Sequence, residues 1–158
     1  MTANAIVHAS FTIERSYAAS PSRVFAAFSD PKQKRRWFAE GEGWEVEQFD
    51  VDFRVGGHER GRFRFQGGPP ITNDTVYQVI QPNERIILAY TMTINGTPLS
   101  GSLLTMEFVP EGTGTRFVFT EQGAYLDGKD APIQREEGSR ELLEALAKLL
   151  GEPANAAE

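Results

Sequence analysis

The sequence predicts an α+β fold in which a curved antiparallel sheet wraps around one long C-terminal helix. Three observations carry this. Six segments with strand-like alternation follow one another from Trp44 to Gln122, separated by short turn signals. The period becomes helical over a long stretch only between Ile133 and Leu150. Two short helical segments stand together after the first strand. Consecutive strands with short turns make an antiparallel sheet, and a lone amphipathic helix must bury its apolar stripe against it.

The elements follow in chain order. Residues 1–6 are expected to be a flexible tail. From His8 to Tyr17, Phe11, Ile13 and Arg15 alternate with Thr12, Glu14 and Ser16, which reads as a strand. Ser20-Pro21 is an N-cap followed by proline at the first helical position, and Val24, Phe25 and Phe28 recur at helical spacing. Asp30-Pro31 restarts a helix over Lys32 to Phe38, anchored by Trp37 and Phe38. The basic run Lys32-Gln33-Lys34-Arg35-Arg36 on that helix is expected to be a solvated face. Trp44 to Val51 reads as a strand with Trp44, Val46 and Gln48 on one face and Glu45, Glu47 and Phe49 on the other.

The stretch Asp52–Gly68 is the most informative. Gly56-Gly57 breaks the chain, and a strand follows with Arg60, Arg62 and Arg64 on one face and Phe63 and Phe65 on the other. Glu59 and Gly61 precede the phenylalanines on their face. An acid and a missing side chain suit a cavity wall better than a packed core. Strands Thr72–Ile80, Arg85–Ile94, Ser100–Val109 and Thr115–Gln122 come next, with Asn95-Gly96 a strong tight-turn signal. Residues 123–132 read as a long polar loop. In the last helix Leu142, Leu143, Leu146, Leu149 and Leu150 form one stripe, while Arg135, Glu137, Glu141, Glu144 and Lys148 are expected to face water. Gly151 stops the helix, and 152–158 form a second flexible tail. The division is therefore one domain over 7–151.

Totals narrow the function. With 158 residues, 40% hydrophobic and 24% charged, the chain can bury a real core. A net charge of −6 argues against general nucleic-acid affinity. With no cysteine, disulfides, thiolate metal sites and cysteine nucleophiles are excluded. Signal peptide and membrane span are not visible, so a cytoplasmic location is expected. The two histidines, His8 and His58, show no metal-ligand spacing, and no triad or dinucleotide fingerprint occurs; neither a metal nor a cofactor is expected.

Four local matches resemble the activator of heat-shock-protein-90 ATPase homologue (AHSA-like) family of the START-like, or SRPBCC, superfamily. They are Ser20-Pro21 through Phe28-Ser29-Asp30-Pro31, the Arg36-Trp37-Phe38 helix, the Asp52-Phe53-Arg54-Val55-Gly56-Gly57 turn, and the Pro82-Asn83-Glu84-Arg85-Ile86 hairpin. The resemblance runs from about Phe11 to Leu150. It implies a helix-grip fold (START/Bet v-like), with a ligand cavity between the sheet and the last helix. Where relatives often place bulky or histidine residues, this chain has Glu59, Gly61, Glu121 and, after Gly138, Ser139. Smaller, more acidic residues would enlarge the cavity or change what it accepts.

Resemblance and alternation together give a candidate cavity lining: Glu59, Gly61, Phe63, Tyr90, Met92, Met106, Phe119, Glu121, Ser139 and Leu142. A carboxylate facing an apolar cavity binds a donor on a ligand, moves a proton, or pairs with a neighbouring arginine. Tyr77, Tyr90 and Tyr125 offer hydroxyls, or pack with those hydroxyls satisfied. The leading expectation is a protein that binds a hydrophobic or aromatic small molecule. A cyclase-like or hydrolase-like enzyme using Glu59 or Glu121 is the alternative. A regulator of heat-shock protein 90 ranks last, because the eukaryotic activators carry an additional N-terminal domain not seen in this sequence. Sheet edges and the loop 123–132 leave a homodimer open.

Overall fold

The computed structural model describes residues 5–128 and 130–151. The expected tails lie outside these residues except for Ala5 and Ile6. Ile6 already belongs to the first strand, which starts two residues earlier than predicted.

The chain runs β1 (Ile6–Tyr17), α1 (Pro21–Ser29), α2 (Pro31–Phe38), β2 (Trp44–Val51), β3 (His58–Phe65), β4 (Ile71–Gln81), β5 (Arg85–Ile94), β6 (Thr97–Glu111), β7 (Gly114–Leu126) and α3 (Pro132–Leu149). All seven strands form one antiparallel sheet in the order β1-β7-β6-β5-β4-β3-β2. The α+β helix-grip architecture read from the sequence is therefore the one observed. Six strands are sequential hairpins; β1 closes the far side by pairing with β7. The stretch predicted as loop from Gly123 is instead strand as far as Leu126, because Ile6 to Ala9 pair with it.

Local signals fix the ends. Arg23 N donates to Ser20 Oγ at 3.2 Å, and Lys32 N to Asp30 Oδ1 at 3.0 Å, so both N-caps form with proline at the next position. Asn95 and Gly96 both take positive φ, 51° and 80°, as a two-residue hairpin requires. β2 departs from simple alternation. A bulge between Val46 and Gln48 turns Phe49 toward the inner face, opposite Gly61, and leaves Gln48 exposed.

The register orders the inner face of the sheet into rows. One row reads Ile86–Met106–Phe119–Ile13, and the next Tyr77–Leu88–Leu104–Glu121–Phe11. Then come Glu59–Thr75–Tyr90–Ser102–Gly123–Ala9 and Gly61–Asn73–Met92–Ser100–Tyr125–Val7. Apart from Tyr77 and Glu121, the first two rows are apolar. Together with Phe108 and Phe117 they receive Val24, Phe25 and Phe28 of α1 and Leu143 and Leu146 of α3. Aromatic rings meet there at close range, Phe28–Phe108 at 5.5 Å and Phe25–Phe108 at 5.3 Å between centroids. Each such buried ring contributes roughly 1.5–3 kcal/mol, so this end supplies most of the stability. The last two rows carry Thr75, Ser102, Asn73 and Ser100, and there the hydrophobic stabilisation fades.

Candidate functional site

Glu59 and Glu121 both reach the inner side of the sheet and are almost fully buried, their side chains 4% and 1% exposed. Each is met by a cation that the sequence reading placed in water. Lys34, predicted to lie on a solvated face, is buried. Its Nζ donates to both Glu59 oxygens at 3.0 and 3.1 Å. The Tyr77 hydroxyl donates to Glu59 Oε1 at 2.5 Å. Around the ammonium stand the rings of Phe38, Trp37 and Phe28, at 4.5, 5.8 and 6.0 Å from their centroids. The correction follows from helical spacing. Lys34 precedes Trp37 by three and Phe38 by four, which puts it on their buried face.

Arg135 is the second correction. It was expected to face water, yet its side chain is 9% exposed. Counting by four from Leu143 gives Ser139 and then Arg135, so it continues the inward stripe of α3. Nη1 donates to Glu121 Oε2 at 3.3 Å and to the Tyr90 hydroxyl at 2.9 Å. Nη2 donates to Ser100 Oγ at 2.8 Å and to Asp130. The guanidinium also lies over the Tyr125 and Tyr90 rings, 5.3 and 5.7 Å from their centroids.

Glu121 is held from three sides. The Tyr90 hydroxyl donates to its two oxygens at 2.9 Å, and the Tyr125 hydroxyl reaches Oε2 at 3.4 Å. Tyr125 makes that contact by lying back along its own strand over Gly123. A Cβ at residue 123 would sit 2.8 Å from the ring. Glycine there is a packing requirement of the network.

The tyrosines are held as neutral donors. Burial, reinforced by the neighbouring carboxylate, pushes the Tyr77 and Tyr90 hydroxyls far above the usual tyrosine range. Tyr125 is pushed up to about 12, first by burial and then by the Glu121 charge. Arg135 is held firmly as a cation, because Tyr90, Asp130 and Glu121 together outweigh its burial.

The remaining candidates divide. Phe63 is buried and bends over Gly61, so a Cβ at residue 61 would collide with its ring. Gly61 is thus a seat for Phe63, and the predicted extra room at that position is filled. Met106 and Phe119 belong to the apolar core, with Leu142 packed against it, and Ser139 is buried in α3. Tyr90 and Met92 lie half-buried at the polar end. Among the described residues three buried side-chain polar atoms lack a hydrogen-bond partner: Arg15 Nε, Asn73 Oδ1 and Ser102 Oγ. Asn73 and Ser102 flank Tyr90 and Met92 from the strands on either side. Sequence reasoning missed both. Their signal was polar residues in phase with the buried side of β4 and β6.

Two concavities of about 530 and 320 Å³ open on the outer face, one around His8, Ser10 and Gln122 and one around Asp50, His58 and Arg60. Neither lies between the sheet and α3. His58 shares the arginine face as predicted, near Asp74. No cluster able to hold a metal occurs among the described residues, and none of their helices is long and apolar enough to cross a membrane.

A seven-stranded antiparallel sheet around one C-terminal helix, with two short helices after the first strand, defines a START-like helix-grip protein. The chain belongs to the activator of Hsp90 ATPase homolog 1-like family, whose model matches residues 18–151. Among solved structures it is similar to Mll3558 from Rhizobium loti, at 50% identity and a TM-score of 0.87, covering 92% of this chain and 99% of that one. An uncharacterized protein from Rhizobium leguminosarum is 40% identical with a TM-score of 0.90, covering 94% and 98%. CV1439 from Chromobacterium violaceum is 26% identical with a TM-score of 0.75, covering 89% and 95%. No curated protein matches the chain.

Proposed function

We propose that the protein binds a hydrophobic or aromatic small molecule between the polar end of the sheet and the start of α3. The observation that carries this reading is the pair of buried polar atoms without partners, Ser102 Oγ and Asn73 Oδ1. Buried polar groups are normally satisfied, and leaving one unpaired costs about 1–3 kcal/mol. A site holding such groups is suited to a ligand that pairs with them. The half-buried inner residues Phe49, Ile71 and Met92 in the same region offer the apolar contact.

The arrangement does not favour proton transfer by the two acids. Both Glu59 oxygens accept from Lys34, and Glu121 accepts from two tyrosines and Arg135. A general base needs a lone pair within reach of the proton it takes, and these partners crowd both carboxylates. The chaperone-regulator reading rests on the family description and engages no particular residue of this chain.

The neutral fluorescent probe N-phenyl-1-naphthylamine tests the proposal. Saturable binding of one molecule per chain is expected. At probe concentrations of about 100 Kd the stabilisation is about 2.7 kcal/mol, which for a chain of this size raises Tm by about 5–10 °C. Met92→Trp, which fills the site, should abolish the shift. Absence of saturable binding, or equal binding by Met92→Trp, contradicts the proposal.

A further inference from the structure

We infer that the ligand is uncharged and carries a hydroxyl or carboxamide on an aromatic-sized body, with that polar group directed at Ser102 and the body extending toward Asn73. The inference rests on the binding proposal above and adds the chemistry of the ligand.

A buried arginine in a cleft ordinarily suggests an anionic ligand. Here the guanidinium is already committed. Arg135 is enclosed by Glu121, Asp130, Ser100 Oγ and the Tyr90 hydroxyl, and rings cover its faces. Two carboxylates against one guanidinium leave the cluster one negative charge in excess. A ligand carboxylate or phosphate would meet that excess and find the cation occupied. The other buried cation, Lys34, spends its ammonium on Glu59. An ammonium ligand fares little better, since Glu121 and Glu59 are both paired and it would be desolvated without a free counter-charge.

The unpaired groups are neutral. Ser102 is only 8% exposed as a residue, and its Oγ is buried, can donate or accept, and faces the same side as Tyr90, its register partner. Asn73 Oδ1 accepts only, and lies two strands away on the other flank of Tyr90 and Met92. Two strand spacings of about 4.8 Å and a two-residue offset along the strands put the two side chains roughly 12 Å apart, so a polar group that meets Ser102 leaves the body to extend toward Asn73. A hydroxyl or carboxamide both donates and accepts, so it matches either group without bringing in a charge. Tyr90 and Met92 between them supply a ring face and a polarisable thioether for the body.

Four probes with one body separate the possibilities: naphthalene, 2-naphthol, 2-naphthoate and 2-naphthylmethylammonium, titrated calorimetrically into the full chain at pH 7.5. We expect 2-naphthol to bind about tenfold more tightly than naphthalene and more tightly than either charged probe. Ser102→Ala should weaken 2-naphthol about five- to tenfold and leave naphthalene unchanged. Without ligand, Ser102→Ala should keep or raise Tm, because it removes an unpaired buried hydroxyl. Tighter binding of 2-naphthoate or of the ammonium probe overturns the inference while leaving the binding proposal intact. So does a Ser102→Ala variant that loses stability and keeps the preference for 2-naphthol, which would mark Ser102 as a structural hydroxyl. If neither these probes nor N-phenyl-1-naphthylamine binds, the binding proposal itself fails and the inference falls with it.

Discussion

The two buried carboxylates differ in what surrounds them. Glu59 sits in a closed cage. Lys34 meets both of its oxygens, Tyr77 meets one of them again, and three aromatic rings wall off the ammonium. The cage ties α2 to β3 and leaves no polar atom of the trio without a partner. Glu121 is equally buried and equally paired and lies between Leu104 and Phe11 on its row, but its partners lead into polar ground: Arg135 binds Ser100, and Tyr90 stands opposite Ser102. The same chemistry at one place locks two elements together, and at the other borders a surface whose hydrogen bonds are incomplete. On the binding proposal, the Glu59 cage serves stability and the Glu121 cluster forms the wall of the site.

Breaking the cage should produce the largest change. Lys34→Met leaves Glu59 buried without a cation, at a cost of about 3–5 kcal/mol in urea denaturation. Lys34→Met combined with Glu59→Leu and Tyr77→Phe should recover most of that, since no charge or donor is then left unpaired. Probe affinity in these variants, measured where they remain folded, should fall less than in the Arg135 variant, because the cage shares no hydrogen-bond partner with the Glu121 cluster. An affinity loss matching that of the Arg135 variant would erase the distinction between the two clusters.

Arg135→Met should cost less stability, about 2–3 kcal/mol, because Glu121 keeps its two tyrosine donors and Asp130 can reach water. The same substitution releases the loop around Asp130 from the sheet, and it should weaken 2-naphthol by tenfold or more on calorimetric titration. If Arg135→Met destabilises more than Lys34→Met and leaves binding intact, the assignments are reversed.

Alkaline pH gives a smaller and more gradual effect. The raised tyrosine values mean that below pH 10 the hydroxyls are protonated in both folded and unfolded chains, and their contribution is fully present. Above pH 10 the unfolded chain loses these protons first. Stability then falls by up to about 1.4 kcal/mol per pH unit for each tyrosine, for Tyr125 until it too ionises near 12. Tyr77 and Tyr90 follow the same sign to higher pH. Absorbance of tyrosinate at 295 nm should therefore rise together with loss of the circular dichroism signal. Ionisation of these tyrosines well before unfolding would contradict the donor roles assigned to them.

The fold was largely legible because its signals are local. Ser20-Pro21, Asp30-Pro31, Asn95-Gly96 and strict alternation each depend on a few neighbouring residues. The inward direction of Glu59 and Glu121 was legible for the same reason. Their partners were not, because a charged residue on a helix is read as solvated unless its spacing to the apolar stripe is counted. Lys34 stands three and four residues before Trp37 and Phe38, and Arg135 eight before Leu143, so the signal was present in both cases. The bulge at Val46/Gln48 and the fold-back of Phe63 over Gly61 were not legible. Both are set by what the opposing strand and the ring's neighbours permit, which alternation does not encode.

The assignment of the site to the polar end can be tested with the methionine methyl groups. Met92 lies between Asn73 and Ser100, whereas Met106 is buried in the apolar core beside Phe119. In a carbon-13 methyl-methionine spectrum titrated with 2-naphthol, the Met92 resonance should shift saturably, with the affinity found by calorimetry, and Met106 should move little. A bound probe that leaves Met92 unmoved would contradict the account.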